Sequence, residues 1–383
     1  MKFNLKKFRE SDFSVFAYSH IHLFSFMALI SEKYMNQKKN YIIDFYITKN
    51  LEKDFLFLKD ILILFFNSKD KKLTIKMQIF SSPGTGKGLN KKVLGYFYNF
   101  FKFKHFVSKK CFIPNSANPY ISLCLKRSKA NKIINIDEGF SLASLKRYFE
   151  LGQKSLMYKF FQLLPNIKIS PCLLDLNSQD PAFYFKSNEI NKLLIKNKKK
   201  RKVYELSLFL ENFMKNIKPY YLEKYNNNFS TSINKGNYLF VVTSPLSTNK
   251  YTEYFEQEID LIESFLEVYI EKNPNVNIVI KPHYRESVYK YEKLKNKNKS
   301  IKIMSPNQPF QLIAMLYENL EIVCFHSSAV FSISFLKNIK KIYCLCPQVK
   351  TKAMLTISDS LKNFNSEKIN FMDDNSYTIW QKN

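Results

Sequence analysis

Three short constellations hold residue types suited to group transfer. In KIINIDEGFSLASL, Asp137 and Glu138 end an apolar run and Gly139 permits a sharp turn behind them. A carboxylate at a strand end can take the proton from a substrate hydroxyl, and a like-charged neighbour makes it a better base. Asp and Gly are also ordinary formers of a strand-to-helix turn, so the pair alone reads both ways. In NVNIVIKPHYRE, a second apolar run brings Lys281, Pro282, His283 and Arg285 to one point. An imidazole there can protonate a departing phosphate or hydrogen-bond its charge, with Lys and Arg adding electrostatic support. A histidine held inside the fold is the alternative. In EIVCFHSSAVFSISFL, Ser327 and Ser328 stand between a third apolar run and a helical stretch. Two hydroxyls beside open N–H groups form an anion site, although helix capping alone accounts for one serine. In LFVVTSPLS, Thr243, Ser244 and Pro245 end a further apolar run, where a nucleotide phosphate can also lie.

A further stretch, SSPGTGKG (81–88), imitates a phosphate loop and holds three of the chain's seven glycines. The ATPase form GxxxxGK[ST] needs a glycine at its first position for the bend and a hydroxyl after the lysine for Mg²⁺. Ser81 and Gly88 occupy those two positions, so both functions are missing. The stretch reads instead as a strand-to-helix connection whose backbone N–H groups are accessible to a substrate.

The elements that must carry these residues are legible as alternation. Apolar runs rich in β-branched and aromatic residues recur at 41–48, 73–80, 132–137, 238–243, 276–282, 320–325 and 340–346, with amphipathic segments such as 250–272 between several of them. Strands apolar on both faces, alternating with helices, indicate parallel sheets covered on each side. The chain opens the same way, with a strand over Phe13–Tyr18 and a helix over His22–Lys33. His20 and His22 interrupt the apolar start, and no small-residue cleavage site follows, so it reads as part of the domain and not as a secretion signal. The alternation breaks at KNKKKRK (196–202) and the Asn-rich 224–236. At 383 residues two domains are expected: 1–195, a connector over 196–236, and 237–383. Two consecutive units of this kind bind a ligand in the cleft between them, at the carboxyl ends of their strands.

The formal charge of +28 arises from 60 Lys and Arg against 32 Asp and Glu. Such an excess suits anionic substrates, an anionic membrane surface or nucleic acid, and a Lys-rich composition also produces it without any partner. Lysines are scattered and neither an RNP-type aromatic motif nor a helix-turn-helix is present, which argues against a nucleic-acid-binding protein, the reading from another class. No apolar run reaches the roughly 20 residues needed to cross a bilayer; FLFLKDILILFF (55–66) is broken by Lys59 and Asp60. Six cysteines (111, 124, 172, 324, 344, 346) show neither zinc nor CxxC spacing and read as reduced core residues. No acidic metal-binding pair of the DxD type stands out, so no metal is expected.

The order of these motifs resembles the bacterial sialyltransferases. Their acidic pair plus glycine is similar to Asp137-Glu138-Gly139, their His-Pro motif to His283, and their Ser-Ser/Thr motif to Ser327-Ser328. The opening strand and helix together with LFVVTSPLS look most like glycosyltransferase family 52, the lipooligosaccharide sialyltransferases, with the capsular polysialyltransferases close behind. The resemblance covers most of the chain at the level of layout, through motifs of two or three residues each. It implies an α/β fold of two Rossmann-like domains facing a central cleft, the GT-B type. It further implies an inverting, metal-independent transfer from CMP-sialic acid to a hydroxyl of lipooligosaccharide or capsule, the donor being a substrate and no cofactor being required. Asp137 would be the base, with Glu138 as competing candidate, and His283 would assist departure of CMP. Ser327 and Ser328 would hold the CMP phosphate, with Thr243, Ser244, Pro245, Lys281 and Gln311 completing the donor site. Two departures stand out: Tyr284 replaces the motif proline, and Gln311 in SPNQPFQLI stands where related enzymes often carry a glutamate for the donor ribose. CMP-Kdo is an alternative donor, because the three motifs handle the nucleotide and the proton and leave the sugar open. The implied location is cytoplasmic, at the inner membrane's cytoplasmic face through peripheral contact with anionic lipid; oligomerisation is left open.

Overall fold

The computed structural model describes residues 11–17, 19–35, 39–48, 51–80, 108–114, 132–136, 182–184, 203–225, 236–243, 255–283, 286–306, 309–325, 327, 329–345 and 367–382. The chain divides into two compact units, Met1–Tyr220 and Tyr221–Asn383.

The first unit is built on strands β1 (Ser11–Ala17), β2 (Asn40–Thr48), β3 (Lys72–Phe80), β4 (Ser108–Pro114), β5 (Lys132–Ile136), β6 (Ala182–Tyr184) and β7 (Val203–Glu205). They form one sheet in the order β3-β2-β1-β4-β5-β6-β7, parallel at every pairing. The apolar pattern explains why. Strand β1 buries six of its seven residues and β2 seven of nine, so both faces need cover. Helix α1 (His20–Leu29) supplies some of it and is itself buried at every residue but His20. Helix α2 (Glu52–Asn67) absorbs the FLFLKDILILFF run: Phe55, Leu58, Ile61, Leu62, Phe65 and Phe66 are buried, while Lys59 and Asp60 are half-buried.

The second unit repeats the design with β8 (Asn237–Val242), β9 (Asn277–Lys281), β10 (Lys302–Ile303), β11 (Asn319–Cys324), β12 (Ile339–Cys344) and β13 (Ile369–Phe371). Its order is β10-β9-β8-β11-β12-β13, again parallel at every pairing. The amphipathic segment forms the helix Phe255–Lys272. Ile259, Ile262, Phe265, Leu266 and Tyr269 from this helix enter the core with Leu239, Val241, Ile278 and Ile280 from the sheet.

The stretch 196–236, expected as a connector, carries structure belonging to the first unit. Val203–Glu205 pairs with β6 as the sheet's last strand, and the helix Leu206–Tyr225 starts immediately after it. Phe213 and Tyr220 of that helix meet Phe65 of α2 edge-on, at 6.2 and 5.7 Å between ring centroids. Asn216 donates to Glu32, 3.2 Å away. The division therefore falls at Tyr220/Tyr221, some 25 residues beyond 195. The helical period of 206–225 and its burial outweigh the basic run that precedes it. Cys111, Cys324 and Cys344 are buried free thiols, as their apolar neighbours suggested.

Candidate functional site

Both strand orders share one topological event. In the second unit the chain leaves β8, builds β9 and β10 on one side, then crosses back to place β11 on the other side of β8. Crossovers leave in opposite directions from the carboxyl ends of β8 and β11, which opens a crevice there, the usual ligand position in such sheets. Val242 at the end of β8 is in register with Cys324 of β11 on one side and with Lys281 of β9 on the other. The residues just past these three positions are Thr243, His283 and Ser327. Four of the residues singled out from sequence (Thr243, Lys281, His283 and Ser327) thus lie along one edge of one sheet.

Their side chains are not equivalent. Thr243 is buried, 1% exposed, and its hydroxyl is fully used: it donates to the carboxylate of Glu286 and accepts the main-chain N–H of His283 at 3.1 Å. The same N–H also reaches Glu286, again at 3.1 Å, and the Glu286 N–H returns a bond to the carbonyl of His283 at 2.9 Å. The Thr243 N–H donates to the carbonyl of Lys281 at 3.3 Å, which extends the sheet pairing by one residue. Lys281 is 5% exposed, and its ammonium donates to the carbonyls of Pro282 (2.8 Å) and Pro306 (3.0 Å), tying the end of β9 to the segment behind β10. His283 is half-buried at the rim.

Behind this rim lies a buried ionic cluster that sequence reading missed. Glu286 also accepts the Tyr291 hydroxyl at 3.1 Å and the Lys290 ammonium at 2.8 Å. Lys290 makes a second ion pair with Glu258 of helix Phe255–Lys272, and all three charged side chains are at most 3% exposed. Burial, followed by the negative charge of Glu258 and Glu286, pushes the Tyr291 hydroxyl far above its ordinary pKa, which keeps it a donor. A carboxylate in such a place must be paired and hydrogen-bonded, and Glu286 is bonded at both oxygens. A signal for it existed: Glu286 closes the KPHYRE run, Lys290 follows at helical spacing, and Glu258 sits in phase with Ile262, Phe265 and Tyr269 on the apolar face of its helix. Each reads as a surface charge until its partners are known.

Ser327 caps the short helix Ala329–Ile333: its Oγ accepts the Ala329 N–H at 3.3 Å and its carbonyl the Val330 N–H at 3.2 Å. One serine thus has the capping role that sequence reading had allotted to one of the two. A helix of five residues brings little dipole of its own, so the anion-binding capacity expected here rests on hydroxyls and N–H groups. Gln311 is 4% exposed, in the helix Phe310–Ala314, whose Phe310 packs against Phe240 of β8 at 5.7 Å between centroids. Asp137, Glu138, Ser244, Pro245, Ser328 and the glycine-rich stretch 81–88 lie outside the described residues; Asp137 follows the last residue of β5 in the chain.

The fold defines the class: two doubly wound parallel α/β domains of the Rossmann kind, the GT-B type. Neither a protein-family model nor a curated protein matches this chain. Among solved structures it is similar to Staphylococcus aureus MnaA bound to UDP, with TM-score 0.50, 10% identity, and 98% of this chain and 86% of that one covered. It is also similar to the α/β-galactoside α-2,3-sialyltransferase of the luminous marine bacterium Photobacterium phosphoreum, with TM-score 0.48, 13% identity, and 95% and 98% covered. A third is a Photobacterium 2,6-sialyltransferase in complex with CMP and lactose, with TM-score 0.49, 12% identity, and 94% and 78% covered. Identities this low speak to the fold alone.

Proposed function

We propose that the chain is a glycosyltransferase that moves sialic acid from CMP-sialic acid to a hydroxyl of a bacterial surface glycan, by inversion and without a metal. One observation carries this reading. The two C-terminal motifs, which the sequence separates by more than forty positions, lie beside the switch point of one nucleotide-type sheet, where His283 and Ser327 flank the end of β8.

In this reaction the acceptor hydroxyl loses its proton to Asp137, the oxygen attacks the anomeric carbon from the face opposite the nucleotide, and the carbon–oxygen bond to CMP breaks. The departing phosphate gains negative charge. His283 offsets that charge by a hydrogen bond or a proton, and the hydroxyls of Ser327 and Ser328 hold the phosphate. Glu138 is the alternative base. Asp137 belongs to the first unit and the other named residues to the second. No described helix is long and apolar enough to cross a membrane. A peripheral position on the cytoplasmic face, held by the excess of 60 basic over 32 acidic residues, accords with a lipid-linked or polymeric acceptor.

The test is hydrolysis and transfer from a panel of nucleotide sugars that includes CMP-sialic acid, CMP-Kdo and UDP-sugars. Release of CMP from CMP-sialic acid, stimulated by a glycan acceptor and lost in Asp137→Ala and His283→Ala, is expected. Turnover of a UDP-sugar, or normal turnover in both variants, overturns the assignment.

A further inference from the structure

The Thr243 side chain faces inward, and that changes what it can do. We infer that Thr243 and Glu286 are positioning residues: together they clamp the backbone of His283 at the end of β9, so that the imidazole stands at the rim in one fixed place. The inference rests on the transferase reading for its catalytic consequence and on hydrogen-bond geometry for the clamp itself.

The single N–H of His283 is shared between Thr243 Oγ1 and Glu286 Oε2, both 3.1 Å away, and the Thr243 hydroxyl proton goes to Glu286 in turn. The three groups form a closed triangle in which each polar atom is used. Thr243 comes from the end of β8 and Glu286 from the turn after β9, so the triangle joins two neighbouring strand ends beyond the last ladder bond. Lys290 holds the other oxygen of Glu286 and is anchored by Glu258 on a third element, the helix Phe255–Lys272. The carboxylate therefore cannot swing toward solvent without leaving the Lys290 ammonium with only one of its two carboxylates. Thr243 is 1% exposed and the Glu286 side chain likewise 1%, so neither presents its polar atoms to a ligand in the crevice. A hydroxyl spent in this way does not bind donor phosphate, which separates Thr243 from Ser327 in role. Positioning of this kind is worth a large factor in rate, because a displacement of about 1 Å can cost on the order of 100-fold.

The experiment compares Thr243→Val, which keeps the shape and removes the hydroxyl, with Thr243→Ser, which restores it. In Thr243→Val, kcat for CMP-sialic acid falls at least about 10-fold while KM for the donor stays within about 2-fold, the pattern of an interaction that matters in the transition state only. Thr243→Ser recovers most of the rate. A rise in KM with kcat unchanged means that the hydroxyl binds donor and overturns the inference, as does wild-type kcat in Thr243→Val. A second readout needs no turnover: the His283 amide exchanges slowly with solvent deuterium in the unaltered protein and faster in Thr243→Val, relative to the amides of β9. If the unaltered protein turns over no nucleotide sugar, the transferase reading fails, and amide exchange alone decides the clamp. Slow exchange that is lost in Thr243→Val upholds it; a His283 amide that already exchanges fast in the unaltered protein overturns it.

Discussion

The main-chain N–H of His283 donates to the side-chain oxygen of Thr243, 3.1 Å away and 40 positions earlier in the chain. A hydrogen bond of this kind, between the ends of adjacent parallel strands, turns a loop residue into an extension of the sheet. It explains how a histidine outside any strand or helix can have a defined position at the crevice of the second unit.

Support for that position comes from the buried ion cluster, and it can be broken selectively. Lys290→Met leaves Glu258 and Glu286 buried without their shared ammonium, and a loss of about 3–5 kcal/mol in unfolding free energy is expected from urea denaturation. Replacing all three (Glu258→Gln, Lys290→Met, Glu286→Gln) costs less than the single change, because no charge is then left uncompensated. A triple variant that is the less stable of the two would show that the cluster stabilises through packing and not through charge balance.

At the rim, His283→Ala should lower kcat by about 10²–10⁴, the usual contribution of a positioned acid, while the circular dichroism spectrum is unchanged. Asp137→Ala, in the other unit, should reduce the rate comparably and leave protection by CMP against thermal unfolding intact. Loss of CMP protection in Asp137→Ala would count against its role as base.

Acid stability is governed in part by His22, which α1 buries at 1% exposure and whose pKa burial pushes down to about 3. The unfolded chain binds a proton at His22 below about pH 6.5 and the folded chain does not until about pH 3, so the unfolded state holds more protons within that window. Its contribution is complete above the unfolded value and is lost as pH falls, with a slope of up to about 1.4 kcal/mol per pH unit. Asp44 acts in the opposite sense: burial raises its carboxyl against the opposing influence of Lys76 and Ser11, so folding takes up a proton there. The melting temperature should drop between pH 6.5 and 4, and His22→Leu should flatten that limb. An unchanged limb in His22→Leu would place the acid sensitivity elsewhere.

Each unit can be followed separately, because the chain's one tryptophan lies in the second. Trp380 stacks on Phe265 at 4.6 Å between centroids with 7° between planes, and Lys272 stands over its ring at 4.6 Å. Its fluorescence should report unfolding of the second unit. Phe213→Ala, in the core of the first unit, should cost that unit about 3–5 kcal/mol. The expected outcome is a dichroism transition that moves to lower denaturant while the Trp380 midpoint stays in place. A shift of both together would mean that the two units unfold as one.

The sequence alone determined that the chain is built of parallel α/β units and that its chemistry-bearing residues stand at strand ends. Strands buried on both faces must be apolar throughout, and β2, β5, β8, β9, β11 and β12 coincide with such runs to within about two residues, while β3, at the sheet edge, matches the run at 73–80 with polar residues interleaved. The two- and three-residue strands β6, β7, β10 and β13 were illegible, since no periodicity can be expressed in so few positions. Only the tertiary structure assigned Leu206–Tyr220 to the first unit, because the rings of Phe65, Phe213 and Tyr220 have no recognisable partners until α2 and that helix meet. It alone also distinguished Thr243 from Ser327 and brought out Glu286. A hydroxyl or a carboxylate looks the same in sequence whether it faces solvent, a ligand or a buried lysine. Its role follows from the partners that folding brings within hydrogen-bond reach from some 30 to 40 positions away.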